Sequence, residues 1–134
     1  MAEPAIAYGL KKTLALPVDE ADARVREELK KEGFGVLTEI DVRATLKQKI
    51  DVDFRPYRIL GACNPPLAYQ ALSAETDIGL LLPCNVVVYQ GDDQDESVVA
   101  ILDPEIQLSV TDREDIAPLA REVRARMERV LAAL

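Results

Sequence analysis

Residues 84–102 read CNVVVYQGDDQDESVVAIL, and they carry the clearest strand pattern in the chain. Two runs rich in β-branched residues, 85–89 and 97–102, flank a turn-forming segment at 91–95. Two such runs separated by a short polar turn predict a β-hairpin. The unbroken valines at 86–88 further predict that the first strand is buried on both faces or occupies a central position in its sheet.

An amphipathic helix is predicted near the start of the chain. Val18, Ala21, Val25 and Leu29 recur at helical spacing. Acidic residues fall in the first turn and lysines in the last turn, which suits the helix dipole. Gly33 follows this pattern and is typical of the residue that stops a helix. We therefore expect a helix that begins at Val18 and stops at Gly33.

A second, longer helix is predicted at the C-terminal end. Thr111 and Glu114 have the spacing of a capping box, which would mark the start of this helix. Pro118 lies too deep for the first turn of such a helix, so we expect a kink or a late start there. The predicted apolar stripe comprises Ile116, Leu119, Ala120, Val123, Met127, Val130, Leu131 and Leu134.

Three further strands are predicted at residues 6–16, 34–40 and 55–63. Asp41 follows the second of them and is a predicted N-cap for a helix that reaches residue 49. Asn64 follows the third and can cap a helix that has two prolines in its first turn. This order of elements predicts an α+β fold in which helices cover one face of a largely antiparallel sheet. A chain of 134 residues predicts a single domain over residues 1–134.

Charge and hydropathy narrow the possible partners. The chain has 24 acidic and 16 basic residues and a net charge of −8, so we predict no nucleic-acid partner. The most apolar stretch, residues 78–89, is interrupted by Pro83 and is shorter than the roughly 20 residues that span a bilayer. The N-terminus lacks the pattern of a signal peptide. We therefore expect a cytoplasmic protein with no membrane partner and with reduced cysteines.

The sequence contains no histidine. This excludes a histidine general base, and with it the Ser–His–Asp and Cys–His types of nucleophilic catalysis. It also excludes zinc sites built on imidazole and histidine-ligated haem. Neither a Gly-x-Gly-x-x-Gly nor a Gly-x-x-x-x-Gly-Lys-Ser/Thr motif is present, so no nucleotide phosphate loop is predicted.

Two Cys-Asn pairs are the candidate functional residues. Cys63-Asn64 and Cys84-Asn85 contain every cysteine and every asparagine of the chain. Each pair lies beside a proline, where a predicted strand meets a turn. Functional groups are often displayed at strand ends beside loops. If the two strands are neighbours, we expect both thiols at one edge of the sheet.

Three interpretations of these pairs stay open. In the first, both cysteines are small buried hydrophobic residues, and the asparagines cap a helix and a turn. In the second, a thiol is reactive and depends on nearby cations or a helix N-terminus, because histidine is absent. In the third, the thiolates of Cys63 and Cys84 bind a metal or a small ligand across a dimer. The candidate ligand-binding residues are Cys63, Asn64, Cys84, Asn85, Lys47 and Arg58.

Two segments of the chain resemble a known family. Residues 60–65 (LGACNP) with Ala68, and residues 79–86 (GLLLPCNV) with Tyr89, are similar to the bacterial and archaeal family of domain of unknown function 302. The resemblance covers nearly the whole chain. The sequence is similar in particular to a stand-alone thermophilic bacterial member of the family. It implies a two-layer β-α-β(4)-α domain with an antiparallel sheet similar to that of the TATA-binding protein. It also implies a homodimer.

The family has no established activity, so the resemblance implies no catalytic residue and no cofactor. Our leading hypothesis is a small domain that binds a small molecule or a metal near Cys63 and Cys84. The first alternative is a thiol-redox or thiol-transfer enzyme that uses the same cysteines. The second is a structural dimer module with inert cysteines. The long amphipathic C-terminal helix also favours a homodimer, because such helices often bury an extra face by association.

Overall fold

The computed structural model describes residues 6–134 and contains, over that range, five strands, five α-helices and one 3-10 helix. The elements in chain order are β1 Gly9–Leu14, α1 Val18–Lys31, β2 Gly35–Asp41, α2 Val42–Ile50, β3 Tyr57–Cys63, α3 Pro65–Ala74, the 3-10 helix Thr76–Leu81, β4 Cys84–Gln90, β5 Ser97–Leu102, α4 Pro104–Ser109 and α5 Ala117–Ala132.

The five strands form one sheet in the order β1-β5-β4-β3-β2, with every neighbouring pair antiparallel. The predicted hairpin is confirmed as β4 and β5, and β4 is the central strand. Val86 illustrates this position, because it lies opposite Ile101 on β5 and Leu60 on β3. The pairing between β2 and β3 has one irregularity, between Val36 and Thr38. The predicted α+β class is confirmed.

Helices α1 and α5 cover one face of this sheet. Alternate strand residues, such as Leu60, Val86 and Ile101, point to that face and are almost fully buried. Val25 of α1 and Met127 of α5 meet them and are also fully buried. The apolar stripe of α1 and the C-terminal part of the stripe of α5 therefore pack against the sheet to form the main hydrophobic core.

A second, smaller hydrophobic cluster lies beside the main core. It contains Ala71 of α3, Ile78 of the 3-10 helix, Leu108 of α4, and Ile116 and Ala120 at the start of α5. Short helices after β3 and β5 supply most of this cluster, whereas strands supply much of the main core. The space between the two clusters is where the candidate site lies.

Two predicted helix caps are confirmed. The Asp41 carboxylate accepts a hydrogen bond from the Ala44 amide at 2.9 Å, at the start of α2. The Asn64 side chain accepts from the Leu67 amide at 3.3 Å, at the start of α3. Gly33 has a positive φ of 87°, a conformation that side chains disfavour, and lies just after α1.

Two predictions about element ends are wrong. The first strand is Gly9–Leu14 rather than residues 6–16, because β5, its neighbour in the sheet among the described residues, spans six residues. The predicted capping box is not formed, because α5 begins at Ala117, so that Pro118 falls in the first turn, where no amide donor is needed. The Thr111 hydroxyl instead donates to the Leu108 carbonyl at 2.8 Å. The late start predicted from Pro118 is confirmed.

Helix α4 was not predicted from the sequence. Its start carries standard signals, since Asp103 accepts from the Glu105 amide at 2.9 Å and Pro104 occupies the first helical position. Six residues are too few to show an apolar pattern at helical spacing, so the helix start was the sole indication of α4 in the sequence. None of the helices within residues 6–134 has the length and apolar character needed to cross a membrane.

Candidate functional site

A cavity of about 300 Å³ lies between the main core and the second cluster, where β3 ends and β4 begins. Its walls come from β2, β3, β4, α3, α4 and α5, and both cysteines contribute to them. The residues that line it are Phe34, Leu37, Thr38, Ala62, Cys63, Asn64, Leu67, Ala68, Ala71, Leu72, Leu82, Pro83, Cys84, Gln107, Leu108, Leu119 and Val123.

This cavity differs in chemistry from other clefts of similar size. A cleft beside α4 and α5 is lined by acidic and basic side chains, among them Glu105, Asp112 and Arg121. A cleft near the start of β3 is lined by Asp19 and Arg58, with further polar residues. The cavity at the cysteines is almost entirely apolar, and we therefore treat it as the candidate site.

Asn64 fixes the geometry of one wall. Its side-chain oxygen caps α3, and its amide nitrogen donates to the Glu32 carbonyl at 3.4 Å, just after α1. Gly33 packs directly against it, because a Cβ at this position would lie 2.8 Å from the Asn64 nitrogen. The end of β3, the start of α3 and the end of α1 are thereby joined at one point.

The two cysteines come from neighbouring strands. Cys84, the first residue of β4, is the Cα partner of Ala62, and Cys63 is the next residue along β3. Both are free and partly buried. The prediction that neighbouring strands bring both thiols to one edge of the sheet agrees with this arrangement. Burial raises the pKa of the Cys84 thiol from 9.0 to about 11, and the nearby Cys63 adds to this effect.

Gln107 closes the inner end of the cavity. It lies on α4, is only 8% exposed, and donates from its side-chain nitrogen to the Leu81 carbonyl. Its side-chain oxygen accepts a weak hydrogen bond from the Cys84 thiol at 3.7 Å. The peptide bond between Leu82 and Pro83, which leads into β4, is cis. Gln107 therefore holds the beginning of β4 against the second cluster.

The other candidate residues lie away from the cavity. Asn85 follows Cys84 along β4, so it points to the opposite sheet face, where it lines a separate cleft with Tyr57 and Tyr89. Arg58 lies at the far end of β3. Lys47 is exposed on α2, where its ammonium group lies 2.9 Å from a carboxylate oxygen of Asp51. The structure thus brings together Cys63, Asn64 and Cys84.

Sequence reasoning did not identify Gln107. Its approach to Cys84 depends on α4, and the residue carries no motif of its own. The Asp103-Pro104 helix start was the one signal that could have placed it. Within the part of the chain that the structure describes, no three Cys, Asp or Glu side chains converge as a metal-binding group.

Comparison with known proteins gives a consistent family match. The family model described as "Domain of unknown function DUF302" matches residues 10–134. Among solved structures, the chain is similar to the crystal structure of an uncharacterized conserved protein DUF302 from Bacillus stearothermophilus. The two share 28% sequence identity with a TM-score of 0.86, over 95% of this chain and 98% of that chain. A search of curated proteins gives no match.

Proposed function

The chain belongs to the family of domain of unknown function DUF302, and we propose that this member binds a small apolar molecule in the cavity that contains Cys63 and Cys84. The observation that carries this proposal is the cavity itself. It has a volume of about 300 Å³ and apolar walls, and it lies at the junction of two hydrophobic clusters.

The packing of protein interiors supports a binding role. Interiors are close-packed, and voids larger than a water molecule are few. Ligand pockets typically have volumes from about 300 Å³ upward, with apolar walls and a small number of placed polar groups. The cavity meets this description, with Asn64 and Gln107 as its main hydrogen-bonding side chains.

The thiol-enzyme alternative has weaker support. Thiol chemistry proceeds through the thiolate, and burial raises the pKa of Cys84 to about 11, so this thiol is protonated at neutral pH. Cys63 directly precedes the N-cap of α3, which favours it over Cys84 as a nucleophile. A metal site would rest on two thiols in one chain, which is fewer ligands than a closed structural site uses.

The test is a binding titration with N-phenylnaphthylamine, a neutral fluorophore whose emission rises in apolar surroundings. The Ala68→Phe variant places a ring in the cavity wall, and we expect it to weaken binding by roughly tenfold or more. Ala23→Phe, at an exposed position of α1, is the matched control and should bind like the wild type. Bound probe should also slow the alkylation of Cys63 by N-ethylmaleimide.

Two results would contradict the proposal. One is equal probe affinity in the wild type and in Ala68→Phe, and the other is an alkylation rate of Cys63 that the probe leaves unchanged. If Ala68→Phe does not fold, Leu72→Trp at the exposed mouth of the cavity serves in its place.

The predicted homodimer stays a prediction. The sheet face opposite α1 and α5 is where we expect a second copy, because Tyr57 and Tyr89 stack there at 5.1 Å. Ile40 on β2, at 49% exposure, extends this apolar area. A sedimentation mass equal to one chain at high micromolar concentration would rule the dimer out.

A further inference from the structure

We infer that the cavity selects uncharged ligands, specifically a neutral, mostly hydrocarbon molecule with one hydrogen-bonding group such as an alcohol or a ketone. This inference rests on the proposed function and adds the chemical class of the ligand. Four features of the cavity carry it, namely the charge of its walls, the state of its polar groups, its mouth and its size.

The walls carry no charge among the described residues that line them. This is unusual in a chain whose residues are 30% charged. Most of the lining comes from residues 59–91, a stretch in which Glu75 and Asp77 are the only charged residues. A carboxylate or an ammonium group that entered the cavity would lose its hydration without gaining an ionic partner, which is strongly unfavourable.

The polar groups of the cavity are mostly occupied within the protein. Asn64 uses its oxygen for the Leu67 amide and its nitrogen for the Glu32 carbonyl. Gln107 uses one amide hydrogen for the Leu81 carbonyl and one lone pair for the Cys84 thiol. A primary amide has two hydrogens and two lone pairs, so Asn64 and Gln107 each retain one donor and one acceptor. A neutral hydroxyl or carbonyl group, which donates or accepts a hydrogen bond without carrying charge, matches this remaining capacity.

The mouth of the cavity continues the apolar wall to the surface. Leu37 is 68% exposed and Leu72 is 39% exposed, and both line the cavity. At the other end, Ala62, Ala71 and Gln107 are almost fully buried. A hydrocarbon chain can therefore run from the buried end past the two leucines without meeting a charged side chain.

The size of the cavity limits the length of the ligand. A cavity of about 150 Å³ holds one benzene molecule. The cavity here has about twice that volume, at about 300 Å³. A group of roughly ten to twelve non-hydrogen atoms therefore fits inside the cavity. The naphthyl ring of N-phenylnaphthylamine meets this limit, and its phenyl ring would extend through the mouth beside Leu37 and Leu72.

The experiment compares three ligands that share a ten-carbon chain and differ in charge. Decanol, decanoate and decylammonium compete with N-phenylnaphthylamine at neutral pH, the alcohol below its solubility limit and each ion below its micellar concentration. We expect decanol to displace the probe at a concentration roughly tenfold or more below that needed for either ion. Equal or tighter binding of decanoate or decylammonium would overturn this inference and leave the proposed function standing. A probe that does not bind the wild type would overturn both.

A charge placed at the mouth provides a second readout. Leu72→Lys adds an ammonium group beside the cavity, and we expect it to raise the affinity for decanoate relative to decanol. Leu80→Lys is the control, because Leu80 is 89% exposed and does not line the cavity. The same change in both variants would show that selectivity follows the overall charge of the protein, and it would overturn the role assigned to the cavity wall.

Discussion

At the start of β3, Arg58 reaches across to two carboxylates of α1, whereas at the end of the same strand Cys63 and Asn64 border a cavity without a charged wall. Helix α1 lies beside both regions, with Asp19 and Asp22 in its first turns and Gly33 just beyond its last turn. The same two elements are therefore joined by ion pairs at one end, and by the hydrogen bond from Asn64 to the Glu32 carbonyl, beside an apolar cavity, at the other.

This difference separates two structural roles. The charged end contains a nearly buried carboxylate, Asp22, held between Arg26 at 2.6 Å and Arg58 at 3.3 Å, and Arg26 also lies 3.2 Å from Glu39 on β2. These ion pairs fix the position of α1 relative to β2 and β3. At the cavity end the hydrogen bonds of Asn64 and Gln107 hold uncharged walls around open space. We therefore expect changes at the charged end to alter stability alone, and changes at the cavity end to alter ligand binding too.

The largest expected effect concerns Cys84 and pH. Because burial raises the folded-state pKa from 9.0 to about 11, the folded protein keeps this thiol protonated where the unfolded chain ionises it. The stabilisation is fully present below pH 9 and is lost as the pH rises to about 11. We expect a loss of about 2 to 3 kcal/mol in the free energy of unfolding over this range.

Denaturant titrations across this pH range measure the effect. In Cys84→Ala the free energy of unfolding should fall less steeply as the pH rises. In Cys63→Ala most of the fall seen in the wild type should remain. If the free energy of unfolding falls equally steeply with pH in the wild type and in Cys84→Ala, the buried thiol is not the cause of the pH dependence.

The next effect is at the charged end. Arg58→Met removes one partner of the nearly buried Asp22, and we expect a loss of about 1 to 2 kcal/mol in the free energy of unfolding. Lys47→Met breaks an exposed ion pair and should change stability by less than about 0.5 kcal/mol. Both variants should bind N-phenylnaphthylamine like the wild type. A weaker probe affinity in Arg58→Met would show that the two ends of β3 are coupled.

The smallest expected effect is a difference in stability between alanine variants of two glycines at the cavity end. Gly33→Ala forces a side chain into a positive-φ position and toward Asn64, so we expect a loss of about 1 kcal/mol in the free energy of unfolding. Gly35→Ala meets no atom within 4 Å and should be close to neutral. Thermal unfolding of the two variants provides the comparison, and equal melting temperatures would contradict the role assigned to Gly33.

Local patterns predicted much of the fold. The hairpin, the caps at Asp41 and Asn64, and the stop at Gly33 each depend on neighbouring residues in the sequence, and all are present. The missed helix α4 is too short for a period to develop. The cavity could not be predicted, because its walls combine residues such as Phe34, Gln107 and Val123, which are far apart in the chain. Strand alternation could have separated Cys84 from Asn85, had their strand been placed one residue earlier.

The irregular pairing of β2 has a consequence for behaviour at high concentration. Within residues 6–134, each of the outermost strands, β1 and β2, has a neighbouring strand on one side, and a sheet edge of this kind is where another chain can add a strand. On β2, the irregularity between Val36 and Thr38 interrupts a flat edge, and Glu39 adds a charge. On β1, Lys11 and Lys12 have the same protective effect. Fibril-like continuation of the sheet from molecule to molecule is thereby discouraged, which directs any self-association to the faces of the sheet.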